Sequence, residues 1–292
     1  MNEKDWLILQ TLHEEKKISK TADRMYMSQP ALTYRLKQIE EEYGIILMHR
    51  GKKGVEFTSQ GEVLIQHVRE MAQKTRNIRE LLLSLDDENK GILHLGVARA
   101  LALHSLPDIV KEFRHSYPKI DLTINTGLNL ALIEAVYKQD YHVGIVRGKY
   151  HWPYEEKVLT KENISILSNS KIKLSDLPQM PRIDFETEPT LTMTIDRWWK
   201  ENFTVPPLVP MKVENAEIAK RMALSGLGYT IVPSIVFEKN DTSYRINLAY
   251  DNDEPILLTT SIIYRKESLK IPVVKKFIDF VINYYDLIEN EK

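Results

Sequence analysis

Ile18-Ser-Lys-Thr-Ala-Asp-Arg-Met-Tyr-Met-Ser-Gln-Pro-Ala-Leu-Thr-Tyr-Arg-Leu-Lys-Gln-Ile-Glu-Glu-Glu-Tyr-Gly44 reads as two short helices joined by a tight turn, the second shaped to enter a DNA groove. In the second segment Leu32, Leu36, Ile39 and Tyr43 fall at i, i+4, i+7 and i+11, one apolar stripe that packs against neighbouring helices. Ser28 stands at the N-cap, Pro30 lies in the first turn where its missing N–H costs nothing, and Gly44 marks a C-terminal stop. The spacing therefore predicts a helix over Gln29 to Tyr43. At about 100° per residue, Gln29, Thr33 and Lys37 share a flank turned away from the stripe, with Pro30 and Tyr34 beside them. In a major groove that flank offers Gln29 to adenine and Thr33 as a hydroxyl or methyl, while Arg35 and Lys37 serve phosphates. Spacing alone leaves equal room for an ordinary helical hairpin with a solvated polar face.

The flanking sequence extends the pattern. Asp5 to Glu14 places Trp6, Leu9 and Leu12 on one apolar face and reads as a supporting helix. Ile45 to Arg50, Gly51-Lys52-Lys53-Gly54 and Val55-Glu56-Phe57 read as two short extended pieces around a basic turn. The lysine pair there follows the DNA backbone to an adjacent minor groove, or else it merely solubilises a hairpin tip. Thr58 or Ser59 caps the next helix, and Ser59-Gln60-Gly61-Glu62 has capping-box spacing. Leu64, Val68, Met71, Thr75, Ile78, Leu82 and Leu85 then alternate by four and three residues, a seam that predicts a partner helix, the alternative being a helix lying on its own domain. Asp86-Asp87-Glu88-Asn89-Lys90-Gly91 ends it, and a hinge is expected there.

The order Ala22, Ser28-Gln29-Pro30-Ala31-Leu32-Thr33, Leu36, Ile39-Glu40, Tyr43-Gly44, Arg50 and Phe57-Thr58-Ser59-Gln60-Gly61 resembles the N-terminal half of LysR-type transcriptional regulators, with Tyr34 where that family often has Arg. The resemblance implies a winged helix-turn-helix over residues 1–58 that binds double-stranded promoter or operator DNA. It further implies a linker helix over 59–90 used for self-association as a homodimer or homotetramer, and an effector-binding domain over 91–292. The expected fold is thus α/β multidomain, ending in a two-lobed α/β domain like that of periplasmic binding proteins.

Composition permits this without announcing it. At 292 residues the chain exceeds one small module. Forty basic residues oppose 41 acidic ones, and residues 1–90 balance at 15 of each, so DNA affinity must come from local arrangement, in particular Arg35, Lys37, Arg50, Lys52 and Lys53. The absence of cysteine removes disulfides, thiolate metal ligands and cysteine nucleophiles. The polar N-terminus lacks an export pattern and no apolar run approaches bilayer length, so a cytoplasmic protein with no membrane partner is expected.

From residue 91 strands alternate with helices, which implies a mostly parallel sheet covered on its faces. Gly91 to Ala98, Ile120 to Thr126 and Tyr141 to Arg147 read as strands, with helices near Leu103 to Ser116 and Leu128 to Lys138. A second unit begins near Asn163, with a strand over Ile164 to Leu167, a helix around Asp196 to Phe203, a strand at Val209 to Val213, a helix over Ala216 to Ser225 and a strand at Tyr229 to Pro233. Ile256 to Tyr264 crosses back and a helix over Val273 to Tyr285 closes the first unit. Lobe I then comprises about 91–161 and 266–292, and lobe II about 162–265.

Ligands of open α/β sheets collect beyond the carboxyl ends of the strands. Those ends supply Ala98, Arg99, Ala100, Thr126, Leu128, Asn129, Arg147 and Gly148, with Thr192, Thr194 and Asp196 expected from the other lobe. Arg99 and Arg147 can fork onto carboxylates, and helix N-termini after residues 100 and 127 favour an anion, so a small organic anion is the expected effector. The competing possibility is that each arginine makes an intramolecular ion pair. The stretches 140–148, 181–189 and 219–233 resemble the catabolite-control, citrate-responsive branch of the LysR-type family in Gram-positive bacteria, which implies citrate or a related carboxylate, although the Ala98-Arg99 pair differs from the small hydroxyl residues common there. No cofactor is expected. An enzyme acting on a small carboxylate is the chief alternative, but Gly-x-Ser-x-Gly, Walker, His-Glu-x-x-His and Gly-x-Gly-x-x-Gly spacings are all absent. The other is a cytoplasmic solute-binding protein, which the appended DNA module opposes.

Overall fold

Asn2 opens the first helix, α1 (Glu3–Glu15), through a reciprocal cap: its side chain accepts the Asp5 N–H at 3.2 Å and the Asp5 carboxylate accepts its N–H at 2.6 Å. A computed structural model describes residues 1–51, 54–238 and 243–290, with only the backbone of 83–86 and 289–290, and these divide into two units, Met1–Leu82 and Leu83–Lys292. None of the helices among the described residues is long and apolar enough to cross a membrane.

In the first unit α1 is followed by α2 (Ile18–Arg24) and α3 (Gln29–Tyr43). The Ser28 hydroxyl accepts the Ala31 N–H at 3.3 Å, and Gly44 ends α3 at φ 66°, a left-handed conformation that glycine adopts without strain. Leu32, Leu36 and Ile39 are fully buried among Ile8, Leu9, Leu12, Ala22 and Leu47. Tyr43, expected on the same stripe, is instead 44 % exposed. The Glu40 carboxylate turns the chain by accepting the Leu47 N–H at 2.9 Å, and Leu47 joins the core while Tyr43 borders a surface hollow.

Arg35 also departs from expectation. Its Nε and Nη2 donate to the two Asp5 carboxylate oxygens at 2.6 and 2.7 Å, and Nη1 donates to Gln38 at 2.7 Å. Asp5 is only 2 % exposed, so this bidentate pair locks α3 onto α1 rather than leaving Arg35 free for a phosphate. The guanidinium holds the Asp5 carboxyl below the usual carboxylate range, against the opposing effect of burial.

β1 (Met48–Gly51) and β2 (Gly54–Phe57) form the wing, paired antiparallel from Met48 opposite Phe57 to Gly51 opposite Gly54. Lys52 and Lys53 lie outside the described residues. The wing is stitched to the end of α1 by the Val55 N–H donating to the Lys16 carbonyl at 2.8 Å, an approach only glycine at 54 allows, since a Cβ there would stand 2.3 Å from that carbonyl oxygen.

The long helix α4 (Ser59–Asp86) is capped by Thr58, whose hydroxyl accepts the Gly61 N–H at 3.0 Å and donates to the Ile46 carbonyl at 2.6 Å. That shifts the cap one residue from the expected box, and Glu62 turns to His13 at 2.9 Å instead. Ile65 and Val68 pack into the domain core with Leu64 against it, whereas Met71, Ile78 and Leu82 are 44, 57 and 58 % exposed and Thr75 is half-buried. The helix thus lies on its own domain at first and presents an apolar seam farther along.

The second unit is ordered around β3 (Gly91–Ala98), which runs parallel to β4 (Ile120–Gly127) on one side and β5 (Val143–Arg147) on the other. Between them lie α5 (Arg99–His104), α6 (Leu106–Ser116) and α7 (Asn129–Tyr137). The helix expected as one piece near 103–116 is split at Ser105, with Pro107 in the first turn of the second piece. The segment expected to hinge, 86–91, is anchored: Lys119 reaches Asp87 at 2.8 Å, and Lys276 reaches the Glu88 carbonyl at 3.1 Å and Asn89 at 2.8 Å.

β6 (Glu155–Ser168) does not start afresh at Ile164 but runs unbroken from lobe I into lobe II. Lobe II continues with β7 (Ile183–Phe185), α8 (Pro189–Asn202), β8 (Met211–Val213), α9 (Ala216–Leu224), β9 (Thr230–Pro233) and β10 (Tyr244–Asn247). β11 (Leu257–Tyr264) returns antiparallel to β6, and α10 (Pro272–Asn290) packs Val274, Phe277, Ile278 and Val281 into the lobe I core. Thr260 to Tyr264 already pair with β5, so the return to lobe I precedes residue 266. β7 and β10 were not foreseen, and α8 starts seven residues earlier than expected, with Pro189 in its first turn.

Two outcomes follow. Gly61→Ala lowers stability by about 2 kcal/mol, because a Cβ would sit 2.1 Å from the Leu47 carbonyl oxygen; chemical denaturation of the full chain reads this. Arg35→Gln costs about 2–3 kcal/mol at neutral pH by leaving the Asp5 carboxylate without its partner. Because the folded-state pKa of Asp5 is depressed, the pair stabilises above the usual carboxylate range and the benefit fades as pH falls, so the gap between wild type and Arg35→Gln narrows below about pH 4.

Candidate functional site

The first unit presents the N-terminal half of α3. Ser28, Gln29, Pro30 and Tyr34 are exposed, Tyr34 by 65 %, and Thr33 is half-buried between them and the core face. Lys37 is exposed and loosely paired with Glu41 at 3.6 Å. Arg50 is exposed on β1 and enters no ion pair among the described residues. Tyr26, which the sequence reading passed over, stands fully in solvent at φ 54° in the turn leading into α3. A solvent-borne ring held in a left-handed turn is suited to contact, but nothing in the spacing marks it. This surface joins a helix N-terminus to side chains able to hydrogen-bond, an arrangement whose shape and chemistry suit a major groove.

In the second unit a cavity of about 230 Å³ opens between the lobes. Ala98, Arg99, Ala100, Leu128, Asn129 and Arg147 line it from lobe I, as the strand-end argument expects. Thr126 and Gly148 do not line it, nor do Thr192, Thr194 and Asp196, which sit beyond the first residues of α8. The hydroxyls of Thr192 and Thr194 bond back to the Glu188 and Thr190 carbonyls at 3.4 and 2.8 Å. From lobe II the lining comes instead from Phe185 to Glu188, Thr190, and Glu214 to Glu217, the segments that follow β7 and β8. A three-residue strand leaves no readable periodicity, which is why those ends were missed. The pairing of Glu188-Pro189 with Asn215, each opening a helix, was the available signal.

Two of the expected ligand groups are already engaged. Asn129 is fully buried; its amide donates to the Arg147 carbonyl at 2.7 Å and to the Tyr150 hydroxyl at 3.1 Å, and its oxygen accepts the Arg147 N–H at 3.1 Å. Arg147 is 7 % exposed and its guanidinium pairs with Glu162, which also accepts the Ile235 N–H at 2.6 Å. The N-terminus of α7, expected to attract an anion, holds one from the protein itself: Glu188 accepts the Asn129 N–H at 2.9 Å and the Tyr150 hydroxyl at 3.4 Å. Burial keeps the Tyr150 hydroxyl protonated by pushing its pKa up. His104 lies 3.7 Å from Glu217, yet burial outweighs that carboxylate and lowers the imidazole pKa.

Comparison with known proteins bears on both units. Residues 4–62 match the description "Bacterial regulatory helix-turn-helix protein, lysR family" and residues 86–286 match "LysR substrate binding domain". The uncharacterised HTH-type transcriptional regulator YraN of Bacillus subtilis is 37 % identical over 281 residues, covering 96 % of this chain and 97 % of that protein. Its counterpart YkuM, from the same strain, is 29 % identical with 96 % of each chain covered. Among solved structures, full-length CbnR complexed with its target DNA superposes with a TM-score of 0.66 at 19 % identity, covering 96 % of this chain and 99 % of CbnR. A full-length OxyR variant from Pseudomonas aeruginosa gives 0.65 at 17 %, covering 98 and 95 %. A capped recognition helix beside a wing, a two-lobed domain with a cavity between its lobes, and both matched domains in chain order agree: the chain belongs to the LysR family of transcriptional regulators, DNA-binding proteins with an effector-binding domain, and not to an enzyme family.

Proposed function

We propose that this regulator docks on duplex promoter or operator DNA as a homodimer, or as a homotetramer of two such pairs, and that a small organic anion between the lobes controls it. Residues 1–58 read DNA, 59–90 join protomers and 91–292 sense the effector. Ser28, Gln29, Pro30, Thr33 and Tyr34 face base edges, while Lys37, Arg50, Lys52 and Lys53 hold phosphates. The observation that carries this reading is α3 itself: three residues bury one face completely, and the opposite face keeps Gln29, Pro30 and Tyr34 in solvent beside the helix start. The likeness to CbnR, solved in complex with its target DNA, supports DNA docking. The regulator acts in the cytoplasm, with the chromosome.

Self-association is supported by the exposed Met71, Ile78 and Leu82 and by a hollow bounded by Met1, Tyr43, Ile45, Val63 and Leu64 at the start of α4. A second copy of α4 covers both. For the effector, the guanidinium of Arg99, which lines the cavity and enters no ion pair among the described residues, supports a carboxylate, citrate or another acid of central metabolism being the class that the branch resemblance brings forward.

Binding to the protein's own upstream region weakens steeply with added salt. Gln29→Ala loses about 1–3 kcal/mol of discrimination against substituted sites while retaining non-specific affinity, whereas Lys53→Ala weakens specific and random duplexes equally; fluorescence anisotropy on both duplexes reads the difference. Equal losses for Gln29→Ala on the two duplexes would remove it from the reading surface. In sedimentation, Ile78→Asp with Leu82→Asp yields monomers at concentrations where the wild type is associated.

A further inference from the structure

The two walls of the lobe cavity carry opposite charge. On the lobe I wall Arg99 is exposed and enters no ion pair among the described residues. Behind it the buried Arg147 is held by Glu162 through one terminal nitrogen, while its Nε has no hydrogen-bond acceptor. On the lobe II wall β7 and β8 run parallel in register, Ile183 opposite Met211 and Phe185 opposite Val213. The next residues, Glu186 and Glu214, therefore emerge from neighbouring strands roughly 5 Å apart in backbone position, and the Glu186 N–H donates to the Val213 carbonyl at 2.9 Å. Both residues line the cavity, both are exposed, and neither enters an ion pair among the described residues. Deeper in, Glu217 faces His104 and Lys220 at 3.7 Å and Arg221 at 4.0 Å, but its Oε2 is buried without a hydrogen bond. Glu188 is already saturated by Asn129 and Tyr150.

Among the described residues, a polycarboxylate entering this space meets the guanidinium of Arg99, which has no ion pair, and a wall of carboxylates. A molecule with one anionic and one cationic end finds a partner for each, and relieves the repulsion between two neighbouring like charges. We propose that the effector is a small zwitterion, an amino acid or close relative, whose carboxylate is taken by Arg99 and whose ammonium group is taken by Glu186 and Glu214. The cavity of about 230 Å³ suits a metabolite of that size rather than a drug-sized ligand. This rests on the cleft being the effector site, as proposed above, and replaces the polycarboxylate class named there with a zwitterion.

The test is thermal shift followed by calorimetry on the full chain, with the twenty standard amino acids, 4-aminobutanoate, succinate, citrate and 1,4-diaminobutane as probes at about 10 mM. The expected result is a rise of about 2–4 °C with at least one amino acid or with 4-aminobutanoate, and none with succinate, citrate or the diamine. The affinity of that probe falls at least about tenfold in Arg99→Gln and in the double variant Glu186→Gln/Glu214→Gln, and Glu214→Lys moves preference towards succinate. Stabilisation by succinate or citrate that is lost in Arg99→Gln leaves the cleft as an anion site and overturns only the zwitterion. An amino-acid response that the double glutamine variant retains also overturns it. Silence towards every probe overturns the cleft assignment and the zwitterion together.

Discussion

Everything in the second unit hangs on one antiparallel ladder. β6 is fourteen residues long; Glu155 to Asn163 runs along β11, and Ile164 to Ser168 pairs with β9 and β10 in lobe II. Because each strand serves both lobes, separating them would break ladder hydrogen bonds in the middle of a sheet, whereas bending need only exploit an existing irregularity. There is one: Thr260 faces Thr160 and Ser261 faces Val158, so Leu159 is the extra residue of a bulge. Leu159 is nonetheless buried in the lobe I core, which fixes the bulge in place. Glu162 lies just beyond it and ties Arg147, at the end of β5, to the Ile235 backbone after β9. The ion pair that removes Arg147 from simple ligand binding therefore braces the crossing point.

The same economy governs charge around the cavity. A helix N-terminus between two lobes would ordinarily favour an incoming carboxylate, and here Glu188 from the opposite lobe already provides it, together with Tyr150 and Asn129. Asn129 in turn clips both backbone groups of Arg147, so one amide aligns the start of α7 with the end of β5. Groups that look like binding chemistry in one dimension are mutually satisfied in three. Among the described residues, Arg99 on one side and Glu186 and Glu214 on the other line the cavity without an ion pair.

That distinction explains what was legible in the sequence. The limits of α3 follow from Ser28, Pro30 and Gly44, all within a residue or two of the ends they fix, and the strand ends of lobe I follow from hydrophobic runs bounded by turns. Arg35 could not be assigned in this way because its partner, Asp5, lies 30 residues earlier and is brought near only by helix packing. Tyr43 was misplaced because the core runs out before the helix does. In lobe II the helix holding Thr192, Thr194 and Asp196 begins at Pro189, so its first turn, not its middle, borders the cavity.

Internal pairing also decides how the DNA-reading unit must work. Of its cations, Arg24 is bound by Glu14 and Glu15, Arg35 by Asp5, Lys37 loosely by Glu41 and Arg79 by Glu3, so part of the positive charge of an already neutral segment is offset within the protein. Arg24 and Arg35 are drawn further from deprotonation by those partners. A single copy would hold DNA less tightly than a pair, since non-specific affinity scales with the number of phosphates neutralised. Under the proposed self-association, the apolar seam of α4 doubles both the phosphate contacts and the base-reading surfaces on one rigid assembly, and affinities that are separately modest multiply. Under that proposal the exposed Ile78 and Leu82 bear on DNA binding without touching DNA: burying them against a second copy is what brings two reading heads together.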